Sequence, residues 1–306
     1  MKSIKNNKSG FPFIISLLFS FLLISNTFAE EIKLITEKTF NVSAGELLDL
    51  RTDVGDVTIS TWTQDKISIK IFGNKNAEKK IEFTFDETDF GLRVIGEKYG
   101  SGFLNWFKKI SLKYEIILPQ KFNVELKTAG GDLIVKELIG EFDMKTSGGD
   151  IILIKSSGDL NCSTSGGDIE VQDFSGDCDV STSGGDINMN IFEGDVIANT
   201  SGGDIKIHSQ SGKINAKTSG GDVDVSYNGI NEGIKLGTSG GDISLAVLSN
   251  FKANVELKTS GGKVHNNFSN SYGSKVTKQK FIGTYNSGGE VLVAKTSGGS
   301  IRVTEK

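Results

Sequence analysis

One five-residue phrase recurs along the second half of the chain at almost constant spacing. TAGGD begins at Thr128, and TSGGD begins at Thr146, Thr164, Thr182, Thr200, Thr218 and Thr238; TSGGK follows at Thr259 and TSGGS at Thr296. The first five intervals are 18 residues and the next are 20 and 21. The last is 37, with NSGGE from Asn286 inside it. A fixed period of this size marks units that bury their apolar face by stacking on a neighbour. Single glycines at Gly140, Gly158, Gly176, Gly194 and Gly212 are again 18 apart. One period therefore holds two turns and two short segments.

Those segments alternate. After GGD come Ile169 and Val171, Ile187 and Met189, Ile205 and Ile207, Val223 and Val225. After the lone glycine come Leu160 and Cys162, Cys178 and Val180, Val196 and Ala198, Ile214 and Ala216. Polar residues fill the gaps, which is the period-two mark of a strand with one buried face. Strands this short need pairing from the next unit. The expectation is all-β: a parallel β-solenoid of 18-residue coils, right-handed, with about nine or ten coils stacked about 4.8 Å apart. The glycine pairs are expected to supply positive φ at tight reversals. The Thr of each TSGG is expected to form a partly buried column whose hydroxyls bond the turn backbone.

Residues 1–29 read as a secretory signal peptide. Lys2, Lys5 and Lys8 open it, FPFIISLLFSFLLI forms the apolar stretch, and Thr27 and Ala29 supply the small residues for cleavage after Ala29. The apolar run is short of the roughly 20 residues that span a bilayer, so no transmembrane helix is expected in the mature chain. Cleavage removes three Lys and no acid, taking the net charge from −4 to −7. A nucleic-acid partner is not expected of so acidic a chain, and anionic lipid surfaces suit it poorly.

Residues 30–127 lack the strict repeat but remain strand-like, with TDVGDVTI at Thr52 as a degenerate echo of TSGGDI. They read as an irregular β-rich cap, the solenoid's first turn plus hairpin additions, continuous with repeats over 128–306. GSGFLNWFKK at 100–109 reads as a loop with aromatic residues.

The TDVGDVTIST-W pattern and the serial SGGD(I/V) turns, from Phe40 to Val303, resemble a bacterial putative-adhesin family of unknown function with β-strand repeats. The resemblance implies an exported or envelope-associated β-solenoid, and it carries over no catalytic residue.

The candidate chemistry is sparse. One carboxylate recurs per coil: Asp132, Asp150, Asp168, Asp186, Asp204, Asp222 and Asp242. Charges about 4.8 Å apart repel by about 0.9 kcal/mol in water. Either each Asp accepts backbone N–H bonds in its own turn, or a cation offsets the repulsion. Calcium is the cation such oxygens suit, with Asp150, Asp168, Asp186, Asp204 and Asp222 as its ligands. The spacing is not that of the GGxGxDxUx calcium roll, so no cofactor or metal is the primary expectation. Cys162 and Cys178 lie on neighbouring coils but two residues out of register. That places their Cα atoms about 8 Å apart, too far for a disulfide. Both are expected as buried free thiols, with His208 and His265 as exposed polar positions.

The functional expectation is a non-enzymatic adhesin or structural component of the cell envelope, located in the periplasm, on the outer surface or secreted. Its solenoid faces would bind an envelope glycan or a surface protein. Two alternatives stand beside it: a scaffold that self-associates end to end, and a polysaccharide-degrading enzyme using two carboxylates.

Overall fold

Each period becomes one coil with two strands, and like strands of successive coils pair in parallel and in register. Ile151 sits beside Ile169, Ile169 beside Ile187 and Ile187 beside Ile205 on one side. Leu160 sits beside Cys178, Cys178 beside Val196 and Val196 beside Ile214 on the other. The computed structural model describes residues 32–99 and 109–306, and among these the protein is an all-β parallel solenoid built of two ladders. The stretch read as a signal peptide, with its expected cleavage after Ala29, and residues 100–108 of the segment 100–109 read as a loop lie outside the described residues.

The inward positions of both ladders are the alternating apolar residues. Ile187, Met189, Ile205, Ile207, Val223 and Val225 are buried on one side, facing Val180, Val196, Ala198, Ile214 and Ala216 on the other. Removing each larger aliphatic side chain from water contributes about 1.5–3 kcal/mol. That gain recurs with every coil, and it is what a strand of four residues needs to persist.

The order of the coils in the stack is not their order in the chain. Numbered along the stack, coil 1 is Gly91–Lys98 with Leu112–Pro119, and coil 2 is Leu47–Thr52 with Asp56–Trp62. Coil 3 is Asn123–Thr128 with Leu133–Lys136. Coils 4 to 8 then follow the chain, starting at strands Ile139–Lys145, Ser157–Ser163, Cys178–Ser181, Val196–Asn199 and Ile214–Lys217. Coil 9 is Ile234–Gly237 with Ile243–Val247. Coil 10 is Val291–Thr296 with Ile301–Glu305, and coil 11 is Ala253–Thr259 with Val264–Asn267. At each end the chain's outermost coil is thus tucked one place inside the stack.

This gives eleven coils among the described residues, against the nine or ten expected. The difference lies mainly before Thr128, where the chain supplies coils 1 and 2 and the first strand of coil 3 rather than a single turn. Antiparallel strands complete that end. Ile81–Thr88 pairs with Gly91–Lys98, Lys66–Gly73 with Leu112–Pro119, and Lys33–Asn41 with Lys66–Gly73. Phe40 and Phe85 stack across the two outermost strands at 5.8 Å. A single helix among the described residues, Lys75–Lys80, is capped by the Asn74 side chain, which accepts from the Ala77 N–H at 2.9 Å.

The far end is covered by strands from the 37-residue interval between TSGGK and TSGGS. Lys280–Tyr285 pairs antiparallel with Ala253–Thr259, and Ser271–Thr277 with Lys280–Tyr285. Phe268 stacks on Tyr285 at 4.3 Å. The final TSGGS therefore lies inside the stack, where it needs no cap of its own. His265 is half-buried rather than exposed, because its strand stacks on coil 10 opposite Arg302; His208 is exposed.

The glycine pairs work differently from expectation. None of the TSGG glycines has φ in the left-handed region; the lone glycines Gly158, Gly176, Gly194 and Gly212 do. The second glycine of each pair is required by contact with the previous coil. A Cβ on Gly185 would lie 2.0 Å from the Gly167 carbonyl oxygen, and one on Gly167 would lie 2.0 Å from that of Gly149.

Candidate functional site

The Thr and Asp of the repeat form two columns of hydrogen bonds along the TSGG corner. Thr182 accepts the Gly185 N–H at 3.3 Å in its own turn and donates at 2.9 Å to the Gly167 carbonyl of the preceding coil. The pattern holds for Thr146, Thr164, Thr200, Thr218 and Thr238. These threonines are buried, more fully than expected.

Each Asp bonds between coils, not within its own turn. Asp132 Oδ1 accepts the Asp150 N–H at 2.9 Å, Asp150 that of Asp168 at 2.8 Å, and Asp168 that of Asp186 at 2.8 Å. The series continues through Asp186, Asp204 and Asp222. Asp56, from the degenerate echo, starts it by accepting the Asp132 N–H at 3.1 Å. At the other end Asp242 accepts from Ser300, and Ser300 Oγ from Lys263. Lys263 stands last in this column, with no further coil whose N–H needs an acceptor. A charge-assisted bond of this kind is worth about 1.5–3 kcal/mol net. That exceeds the repulsion of about 0.9 kcal/mol between neighbouring carboxylates.

The carboxylates proposed for calcium are therefore bound through Oδ1 to backbone. Among the described residues no group of three or more His, Cys, Asp or Glu converges as metal ligands. The two thiols are free and buried, with Cys162 beside Val180 and Cys178 beside Leu160. Burial pushes the Cys178 thiol up to about 12 and that of Cys162 upward as well. A neutral, enclosed thiol of this kind is unreactive.

The outward surface of the ladder containing Ser157–Ser163 is charged in rows. Asp49, Glu125, Asp143, Asn161 and Asp179 occupy one row, and Arg51, Lys127, Lys145, Ser163 and Ser181 the next. Arg51 bridges Asp49 at 2.9 Å and Glu125 at 3.2 Å, Lys127 also pairs with Glu125, and Lys145 meets Asp143 at 3.0 Å. Over the next three coils the second row is neutral, with Ser163, Ser181 and Asn199, so Asp179 has Ser181 where Asp143 has Lys145. Beside these rows runs a second corner series, Glu141, Asp159, Asp177 and Asp195. This series and Glu125, Asp143, Asn161 and Asp179 of the first row line a shallow hollow of about 760 Å³. Part of this series is also tied to backbone: Asp177 accepts from the Asp195 N–H at 2.8 Å and Asp195 from that of Lys213 at 2.9 Å.

The Toastrack DUF4097 family model matches residues 46–304, nearly the whole stack. The chain belongs to the Toastrack DUF4097 family. Solved structures with which this Toastrack chain aligns include a putative cell adhesion protein from Clostridium sporogenes, at 15% identity and TM-score 0.24, covering 90% of this chain and 100% of that one. A putative adhesin from Bacteroides fragilis aligns at 13% identity and TM-score 0.34, covering 90% and 98%. A putative lipid binding protein from Parabacteroides distasonis aligns at 12% identity and TM-score 0.28, covering 88% and 96%. No curated protein matches the chain. Among the described residues no helix is long and apolar enough to cross a membrane.

Proposed function

We propose that this Toastrack protein is an exported, non-catalytic component of the bacterial cell envelope that binds an extended glycan or protein partner through its solenoid surface. The observation that carries this reading is the use made of the repeat's polar groups. The Thr and Asp columns are engaged in holding coil to coil, so the side chains left to meet a partner are the outward rows, set at the repeat spacing of the ladder. Regular, rigid surfaces of this type suit extended partners. The signal-peptide pattern of residues 1–29, with cleavage after Ala29, supports export to the periplasm, the outer surface or the medium. The acidic mature chain supports a partner other than nucleic acid. The backbone bonds of the Asp column favour a structural role for it over a hydrolytic one.

The test is co-sedimentation of the chain from Glu30 onward with purified envelope from its own source, against a heat-unfolded control. Saturable pelleting that is lost on unfolding is expected. Equal recovery in the supernatant with and without envelope overturns the reading.

A further inference from the structure

The repeat departs from 18 residues in one neighbourhood, and the departures gather at one corner of the stack. Between Ile205–Ser209 and Ile214–Lys217 the period is still 18, and the corner takes four residues because the strand before it is shorter. Between Val223–Tyr227 and Ile234–Gly237 it takes six, and between Ile243–Val247 and Ala253–Thr259 five. Between Lys280–Tyr285 and Val291–Thr296 it again takes five. Extra residues placed on one side of a solenoid are characteristic of its binding loops. Here they enclose a hollow of about 820 Å³. It runs into a second of about 460 Å³ that shares Asn250 and Lys252 and ends at Tyr272. Both volumes are in the range of small-ligand sites.

The walls are held from beneath. Asn231 is buried and donates to the Lys252 and Glu290 carbonyls at 3.0 and 2.7 Å, while its Oδ1 accepts the Gly233 N–H at 3.0 Å. Asn286 has φ 51, donates to the Ser249 and Phe251 carbonyls, and accepts from Asn270 at 3.1 Å. These two residues pin three loops to one another, so the groove is preorganised. Its upper surface is chemically open: the side-chain amides of Gln210, Asn228 and Asn250 make no hydrogen bond among the described residues, and all three are exposed. Two large hydrophobic side chains stand beside them, Ile230 at 87% exposure and Tyr272 at 66%.

We infer that this groove is a binding site for a neutral oligosaccharide; the inference rests on the reading of the protein as an envelope-binding module and names the site and ligand class. A side-chain amide offers two donors and an acceptor, matching hydroxyls that both donate and accept. An exposed Tyr ring supplies the flat apolar surface that the C–H face of a sugar ring covers, with a polar tip left to bond. The charged groups, Glu232, Glu290 and Lys252, do not add up to a cationic site for an anionic ligand, and Glu232 Oε1 is taken by the Gly212 N–H at 3.0 Å. A peptide adding to the sheet as a strand would need a free strand edge. The nearest, Ser271–Thr277, is bulged between Gly273 and Lys275 and carries that lysine, which makes it a poor template.

The experiment titrates the chain from Glu30 onward with neutral oligosaccharides of glucose, mannose and N-acetylglucosamine at millimolar concentration, followed by amide NMR shifts. Envelope pelleting is measured in parallel. Tyr272→Ala and Asn250→Ala serve as variants, and both positions are exposed, so an unchanged melting temperature verifies the fold. The expected result is shifts confined to residues 210–290, with about tenfold weaker binding in Tyr272→Ala. Absence of shifts with every sugar, or shifts unaffected by both variants, overturns the groove. Pelleting that persists in both variants alongside that absence leaves the envelope reading standing. Groove-specific shifts without pelleting support the site and overturn the envelope reading.

Discussion

The Oδ1 of Asp242 accepts the backbone N–H of Ser300 at 2.7 Å, although the two residues are 58 positions apart. Everywhere from Asp132 to Asp204 the same bond spans 18 positions. The column is continuous in space where it is broken in sequence, because coil 10 enters between coils 9 and 11.

The Asp column makes a prediction about charge against hydrogen bonding. Asp186→Ala removes the acceptor for the Asp204 N–H and is expected to cost about 1–2 kcal/mol. Asp186→Asn keeps an oxygen in place and removes one repelling charge, so it should be close to neutral. Urea denaturation of the two variants checks this. Equal losses would mean that the carboxylate charge, not the acceptor, is what matters.

Neighbouring glycines of one pair should respond differently. A Cβ on Gly184 meets nothing nearer than the Ser165 carbonyl at 3.6 Å, whereas one on Gly185 collides with Gly167 O at 2.0 Å. Gly184→Ala should leave the melting temperature nearly unchanged. Gly185→Ala should lower stability by about 3 kcal/mol, because backbone has no rotamer with which to yield.

The buried thiols make the fold sensitive to alkali. An unfolded thiol ionises near pH 8.5, while burial raises Cys178 to about 12 and Cys162 upward. The folded state therefore holds protons that the unfolded state releases. Stability is intact below about pH 8.5 and falls as pH rises towards the folded values, by up to about 1.4 kcal/mol per pH unit for each thiol. The double variant Cys162→Ala, Cys178→Ala should be less stable at neutral pH but show a shallower decline between about pH 8.5 and 10. Identical slopes would discount the thiols.

Removing Ser287–Lys306 deletes coil 10 from within the stack. Coil 11 and the antiparallel strands beyond it would lose their parallel partner. Hydrogen exchange of residues 253–285 should rise to that of an unstructured segment while coils 4 to 7 stay protected, as expected of nearest-neighbour stabilisation. Retained protection over 253–285 would show that coil 11 can dock directly on coil 9.

Much of this was legible in the residues. The alternation of Ile205, Ile207, Val223 and Val225 set the strands and their inward face. The 18-residue period set the in-register stacking, and the two-residue offset of Cys162 and Cys178 set them apart as free thiols. The corner groove left weaker traces, intervals of 20 and 21 and a local excess of Asn, which mark inserted loops but not what the loops enclose.

The sequence by itself determined the coil, because alternation and turn residues act within one period. Tertiary structure decided which coil lies on which. Every TSGG presents nearly the same surface to a neighbour, so the local pattern cannot tell Thr296 that it belongs on coil 9 rather than after Lys263. That choice is made by contacts across dozens of residues, from coil 2 seated between coils 1 and 3 to the strands covering coil 11. The role of the second glycine was hidden for the same reason: the atom that excludes its side chain is the carbonyl oxygen of another coil.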